Sequence, residues 1–328
     1  MIHADARRDA LARWLAPHIG PSFKLTPASE DASFRRYWRA TLDDGRSYVA
    51  MDAPPDKEDC RPFVRVARML AAAGVHAPQV IAEDLGRGFL LLSDLGTRTY
   101  LRELNAGIGA NEAAQLFADA TDSLLRWQLA TRAGELPPYD EALLRREMNL
   151  FPEWYIGKHL KRKLASAQRD CLEQIFRLLV ESALAQPMVY VHRDYMPRNL
   201  MVCEPNPGVL DFQDAVLGPI SYDMVSLVRD AFISWEEERV LDWSARYWQK
   251  AKAAGLPVAG DFGEFWRAFE WMGLQRHLKV LGIFARINYR DGKPKYLADT
   301  PRFIDYALSV SRRYRELAPL ARLLDEIA

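Results

Sequence analysis

Cysteine is scarce in this chain, with three in 328 residues at Cys60, Cys171 and Cys203. An odd, widely spaced set speaks against a disulfide framework, none of the three stands in a zinc-ligand pattern, and a reducing compartment is expected. Net charge is also missing, because 44 basic and 44 acidic residues cancel. Without a global positive field, nothing recommends nucleic acid as a partner. Long apolar runs are absent too: no uninterrupted stretch approaches a membrane span, and the opening MIHADARRDALARWLAPHIG lacks the apolar run of a secretory signal. The expectation is a cytoplasmic protein with no membrane association and no obligate protein partner. Ala10, Leu11, Trp14 and Leu15 have instead the spacing of an amphipathic packing helix.

What is present is an ordinary globular composition, 49% hydrophobic, in a chain long enough for two lobes. FKLTPASEDASFRRYWRATLDDGRSYVAMDAPP reads as three short strands, Phe23–Pro27, Phe34–Thr41 and Ser47–Asp52, with Asp44-Gly45 as a hairpin turn. Phe63, Val66, Ala67 and Leu70 form one stripe and predict a helix over Arg61–Ala73. VHAPQVIAED and GRGFLLLSDLG read as two further strands separated by Gly86-Arg87-Gly88. From Thr99 onward the pattern is one of long amphipathic helices. The fold class is therefore α+β, with residues 1–95 as a β-rich lobe and residues 96–328 as a mainly helical one.

One region breaks the helical texture: YVHRDYMPRNLMVCEPNPGVLDFQDA, Tyr190–Ala215. The turn-rich EPNPG separates two apolar runs and predicts a hairpin. A turn centred on Pro205 and Asn206 sets Asp211 opposite Leu200, and so beside Asn199. Antiparallel neighbours lie about 5 Å apart, close enough for two oxygen ligands to share one hard cation. Asn199 and Asp211 are thus candidate magnesium ligands, and a magnesium held by so few protein oxygens completes its shell with water and phosphate, which implies a nucleotide. Asp194 lies on a loop just ahead of the hairpin and would project into the same space. His192 reads as architectural, and Asp223 as the cap of the helix that starts near Met224.

Asp and Asn five apart, followed by an Asp-Phe pair on the returning strand, match the His-Arg-Asp, Asn and Asp-Phe-Gly pattern of protein kinases. HRDYMPRN, DFQDA and GPISYDMVSL together resemble the aminoglycoside phosphotransferase and choline kinase branch of the kinase-like fold. A closer resemblance is to the bacterial cell-wall sugar kinases that phosphorylate the anomeric hydroxyl of N-acetylmuramate and N-acetylglucosamine. It is carried by DASFRRYWR, MDAPPDKEDCRPFV, FLLLSDLGTRTYL, NLFPEWY and QRHLKVLGIFARINYRDGKPKYL, which together span most of the chain. The resemblance implies a protein-kinase-like bilobal fold, a small antiparallel sheet lobe for ATP, and a helical lobe carrying the catalytic loop and the acceptor site. It also implies Mg2+ with ATP as co-substrate, Asp194 as the group that accepts or orients the acceptor's proton, an amino-sugar acceptor, and a place in peptidoglycan recycling.

Two departures from the kinase pattern stand out. SEDASFRRYWR occupies the place of the glycine-rich phosphate loop without a glycine, leaving Ser33 and backbone N–H groups to meet phosphate. YVAMDAPP carries Asp52 where a kinase would place its phosphate-binding lysine, and a carboxylate there would repel phosphate. The usual ion pair is expected to be absent, or reversed in polarity between Asp52 and an arginine of the following helix, Arg61, Arg65 or Arg68. Charge compensation is assigned to Arg35 or Arg36, of which strand alternation lets only one face the nucleotide. Ser93, Asp94 and Leu95 are the expected hinge, offering backbone groups to adenine whatever their side chains. Glu147, Trp154, Tyr155, Arg276 and His277 are candidate acceptor contacts. The competing readings are an aminoglycoside or amino-alcohol phosphotransferase, and a nucleotide-binding protein without turnover.

Overall fold

Asp44-Gly45 closes a hairpin as its sequence requires: Gly45 sits at φ +87°, and its N–H donates to Leu42 O at 3.1 Å. The computed structural model describes residues 2–29 and 34–327; residues 30–33, which include Ser33, lie outside the described residues. In chain order the helices and strands are α1 (Ile2–Ile19), β1 (Phe23–Ser29), β2 (Arg36–Leu42), β3 (Ser47–Asp52), α2 (Arg61–Ala72), β4 (Val80–Asp84), β5 (Phe89–Ser93), α3 (Tyr100–Asn105), α4 (Ala110–Leu129) and α5 (Glu141–Met148). A π-helical segment, Phe151–His159, follows, and then α6 (Ser166–Leu184), β6 (Met188–Val191), β7 (Leu200–Met201), β8 (Gly208–Val209) and β9 (Val216–Pro219). The remaining helices are α7 (Tyr222–Val228), α8 (Glu237–Ala253), α9 (Phe262–Asp291), α10 (Thr300–Arg313) and α11 (Ala318–Ile327). No described helix is long and apolar enough to cross a membrane.

The chain divides into two compact units, Met1–Trp127 with Arg198–Asp214, and Gln128–Pro197 with Ala215–Ala328. The first is built on a five-stranded antiparallel sheet in the order β1-β2-β3-β5-β4. Leu11, Trp14 and Leu15 of α1 pack on one face of it, against Ala50, Phe89 and Leu91, which is the burial expected of that amphipathic spacing. The α2 helix buries Phe63, Val66, Ala67 and Leu70, the predicted stripe, together with Val64. Strand β4 starts only at Val80, after Pro78, which has no N–H to give to a ladder. Gly88 is obligatory in its turn: at φ +72° its carbonyl accepts from Ala53 N at 2.9 Å, and a Cβ there would lie 1.7 Å from Ala53 O.

The hairpin of β7 and β8 belongs to this first unit because its backbone and tip are tied there. Val202 N donates to Arg98 O at 2.7 Å and Val209 N to His76 O at 2.8 Å. At the tip, the Asn206 amide donates to Tyr100 OH at 2.8 Å and to Asp119 at 2.6 Å.

The second unit is mainly helical, with β6 and β9 forming a two-stranded antiparallel ladder. Its centre is the 30-residue α9, started by Asp261, whose carboxylate accepts from Glu264 N at 3.2 Å, and stopped by Gly292 at φ +68°. Most of its residues between Phe265 and Ala285 are buried, because α5, α6, α7, α10 and the π-helical segment all pack on it.

Candidate active site

Two arms of the first unit enclose a cavity of about 300 Å³. Val49 and Leu92 come from the sheet, Met201 and Leu210 from the hairpin, and Phe63 from α2, giving an apolar slot suited to a flat heterocycle. Ser93, Asp94 and Leu95, the predicted hinge, line it as well. The Asp94 side chain matters here, contrary to the expectation from sequence. Its carboxylate accepts from Arg39 at 2.6 and 3.0 Å, from Ser47 Oγ at 2.7 Å and from Gly96 N at 2.9 Å, while Arg39 also donates to Gly96 O at 2.7 Å. Burial alone would raise the Asp94 pKa, but these bonds outweigh it and hold the group below the usual aspartate value. The hinge turn is thereby fixed with its acid ionised. Arg39 is not among the residues singled out from sequence; its clue is the parity it shares with Tyr37 on β2, which sets it on the cavity face of the sheet opposite Val49.

Asn199 and Asp211 also line this cavity, with the Asn199 amide 3.3 Å from the Asp211 carboxylate. The pairing arises differently from the expected one. Leu200 opposes Val209 rather than Asp211, a register two residues away from a turn centred on Pro205 and Asn206. Leu210 N still donates to Asn199 O at 2.9 Å, and Asp211 takes φ +64°, which turns it out of the ladder. Aspartate tolerates this left-handed conformation better than most residues. An amide and a carboxylate so placed fit a magnesium ion that draws its other ligands from phosphate and water. Gln213 donates to the second Asp211 oxygen at 3.0 Å.

Strand alternation decides the fate of Asp52 and the two candidate arginines. Asp52 lies in the same parity as Ala50 and opposite Phe89, on the face that α1 covers, while Val49 and, by alternation, Met51 take the cavity face. Asp52 is fully buried and clamped by Arg7 of α1, at 2.5 Å, and by Arg36. The reversed pair therefore exists, but Asp52 takes its arginines from α1 and β2 rather than from the helix after β3, and its charge is met by both on the face that α1 covers. Arg35 has the opposite parity, shared with Tyr37 and Arg39. Its guanidinium lies 3.8 Å from Glu58, and although burial works against its charge, Tyr37, Glu58, Asp211 and Asp214 together hold the pKa above the usual arginine value. Alternation thus sends Arg35 toward the Asp211 side and Arg36 to Asp52.

In the second unit, β6 leads into the loop that carries Asp194. Arg193 takes φ +76°, a strained conformation for a branched-free but bulky cation. The strain is held by Asp223, whose carboxylate accepts from His192 N at 2.7 Å and from Arg193 N at 3.0 Å. Asp223 is thus a clamp for the loop and not the expected helix cap: it sits inside the first turn of α7, behind Ser221 at the N-cap, and points back at the loop. Burial pushes its pKa up to about 7 against the pull of those two N–H groups, with Asp194 adding to the rise and Arg276 opposing it. His192 is buried and its Nδ1 accepts from Asp194 N at 3.2 Å, the architectural role expected of it.

The acceptor candidates part company. Glu147 is buried against Arg193 at 2.5 Å and Lys279 at 3.1 Å. Arg276 is buried with its charge felt at Asp223 and Asp230, and its Nη1 has no hydrogen-bond partner among the described residues. His277 is stacked 4.9 Å from Tyr306, and burial, with Arg229 and Arg276, pushes its pKa well down, so the ring is neutral. Tyr155 is packed in the π-helical segment with its ring stacked on Phe151 at 5.7 Å, and Trp154 beside it is half-buried. The clue to the unforeseen Lys279 was a lysine inside the apolar run HLKVLGIF.

The chain is similar to known proteins in sequence and in fold. The sequence model of the phosphotransferase enzyme family matches residues 24–261. The N-acetylmuramate/N-acetylglucosamine kinase of Pseudomonas putida is 53% identical over 100% of this chain and 98% of its own, and the protein of that name from Pseudomonas aeruginosa is 57% identical over 93% and 88%. The ternary complex of an aminoglycoside phosphotransferase with streptomycin and ATP superposes with a TM-score of 0.60 at 16% identity, covering 89% of this chain and 95% of that one. This chain belongs to the phosphotransferase enzyme family, and its α+β fold is that of the kinase-like enzymes.

Proposed function

We propose that this protein transfers the terminal phosphate of ATP to the anomeric hydroxyl of N-acetylmuramate and N-acetylglucosamine, in the cytoplasm, as a step of peptidoglycan recycling. One observation carries the substrate choice: 53% and 57% identity, over nearly whole chains, to two kinases of that name. In this reading residues 1–95, with the hairpin that bears Asn199 and Asp211, hold the nucleotide, and the rest of residues 96–328 carries the catalytic loop and the acceptor site.

Phosphoryl transfer asks little covalent chemistry of the protein, so positioning and charge compensation do most of the work. The apolar slot takes the adenine, and the hinge fixed by Arg39 and Asp94 offers backbone groups at Ser93–Leu95. Asn199 and Asp211 would hold magnesium, which neutralises charge on the phosphates when bound. Arg35 adds the positive charge that a strand lysine supplies elsewhere. Asp194 accepts or orients the proton of the sugar hydroxyl as its oxygen bonds to phosphorus and the bond to the ADP oxygen breaks. Arg276 and His277 are the acceptor contacts of this reading, Arg276 for a lactyl carboxylate, because Arg276 Nη1 and both His277 ring nitrogens lie buried with no hydrogen-bond partner among the described residues.

Coupled ADP-release assays with Mg-ATP test the reading, using N-acetylglucosamine, N-acetylmuramate, choline and kanamycin as acceptors. Turnover on the two amino sugars is expected. Turnover confined to choline or kanamycin would replace the substrate, and ATP binding with no turnover on any acceptor would make this a nucleotide-binding protein.

A further inference from the structure

Behind the catalytic loop lies a charge cluster whose members come from distant parts of the sequence. Glu147 at the end of α5 accepts from Arg193 at 2.5 Å, meets Lys279 of α9 at 3.1 Å and accepts from the Tyr139 hydroxyl. Lys279 donates in turn to Tyr222 OH at 3.0 Å, and the Tyr139 and Tyr222 rings meet edge-on at 5.4 Å. Arg193 lies 5.7 Å over the Tyr139 ring. Glu147 and Lys279 expose 6% and 9% of their side chains, so water screens the cluster weakly. Burial opposes both charges, yet each group stays ionised through the other: Lys279 and Arg193 hold Glu147 below its ordinary range, and Glu147 holds Lys279 above its own.

The consequence falls on Arg193, the residue immediately before Asp194. Its backbone is in the left-handed region and its two ends are gripped separately, the N–H by Asp223 and the guanidinium by Glu147. A bulky residue keeps such a conformation only where its surroundings over-determine it. We infer that Glu147, backed by Lys279 and Tyr139, is a positioning residue that locks Arg193 and thereby fixes Asp194 for proton transfer, rather than a contact of the acceptor. The lock is built from residues of the chain itself, so the loop is set without a modification or a ligand. The inference rests on the kinase reading for its effect on turnover, though not for its effect on the loop.

The test pairs kinetics with hydrogen exchange on the full-length protein. The variants are Glu147→Gln, Lys279→Met, Lys279→Arg and Tyr139→Phe. Misplacement of a reacting group by about 1 Å costs about 100-fold. Glu147→Gln is therefore expected to lower kcat by about 30- to 100-fold while KM for ATP and for the sugar change by less than about 3-fold. Peptides covering residues 192–197 should exchange faster than in the wild type, and those of the β1–β5 sheet should not. Lys279→Arg should recover most of the kcat that Lys279→Met loses. A raised sugar KM with kcat and loop exchange unchanged would overturn the inference in favour of an acceptor contact. If the wild type phosphorylates none of the acceptors while loop exchange still responds to Glu147→Gln, the kinase reading fails and the lock stands. Should Lys279→Met fail to fold, Tyr139→Phe, which removes one bond and no charge, gives the same two readouts with a smaller loss, and no change in either would overturn the inference.

Discussion

Replacing Asp223 by Asn keeps the shape of the loop clamp and removes its charge. In the wild type each carboxylate oxygen takes one N–H, from His192 at 2.7 Å and from Arg193 at 3.0 Å. An amide keeps one of these bonds and sets its NH2 against the other donor, as the protonated acid sets its O–H, so the variant stands in for the protonated clamp at every pH. The pH dependence is more telling. An aspartate whose pKa is raised by burial to about 7 stabilises the fold fully below the unfolded value near 4, and that contribution is lost as pH rises through 7. From about 3.9 to about 7, at about 1.4 kcal/mol per pH unit, the loss amounts to about 4 kcal/mol. The unfolding free energy of the wild type relative to Asp223→Asn, followed by urea titration from pH 5 to 8.5, should therefore fall as pH rises toward 7 and level off above it. Activity should run the other way. Only the ionised carboxylate accepts both N–H groups, so wild-type kcat should rise with an apparent pKa near 7. In the variant kcat should lie about 10- to 100-fold lower and lose that inflection, by the cost of misplacing a reacting group. If the stability difference stays constant with pH, or the inflection survives in the variant, Asp223 is not the titrating clamp.

The remaining expectations concern the first unit. Arg36→Ala and Asp52→Asn should each cost about 2 kcal/mol, the penalty for breaking a buried pair discounted for arginines about one-third exposed, with ATP KM changed by less than about 3-fold. Thermal unfolding and initial rates check both, and a large rise in ATP KM with unchanged stability would place Asp52 or Arg36 on the nucleotide. Arg35→Ala should show the opposite pattern, a rise of about 10-fold or more in ATP KM with Tm within about 2 °C, because Arg35 faces the Asp211 side. Asp211→Asn retains a residue that tolerates φ +64°, so the fold should persist while kcat falls by about 100- to 1,000-fold, the usual scale for losing one electrostatic stabiliser. Arg39→Ala should weaken ATP binding by about 10-fold through a loosened hinge, since it leaves the Asp94 carboxylate short of its main partner.

Local signals were legible in the sequence and long-range pairings were not. The Asp44-Gly45 hairpin, the α2 stripe, the strand ending at the hinge and the proximity of Asn199 to Asp211 follow from turn chemistry and periodicity. The register of the β7–β8 hairpin does not, because a left-handed Asp211 restores the contact that a two-residue shift would have lost. Parity is equally hidden: VAMD gives no sign of which face α1 will cover, so Asp52 looked like an obstacle to phosphate when it is the anchor for Arg7 and Arg36. Glu147 and Arg193 are 46 residues apart, and Asp223 and His192 are 31 apart, separations at which no pattern of periodicity carries information.

The most direct measurement is phosphorus NMR of the product made from N-acetylglucosamine or N-acetylmuramate with Mg-ATP. A new phosphomonoester signal split by the anomeric proton, appearing with stoichiometric ADP, is the expected result. A signal coupled instead to a methylene or ring proton away from C1, or ADP with free inorganic phosphate and no sugar ester, would contradict phosphoryl transfer to the anomeric oxygen.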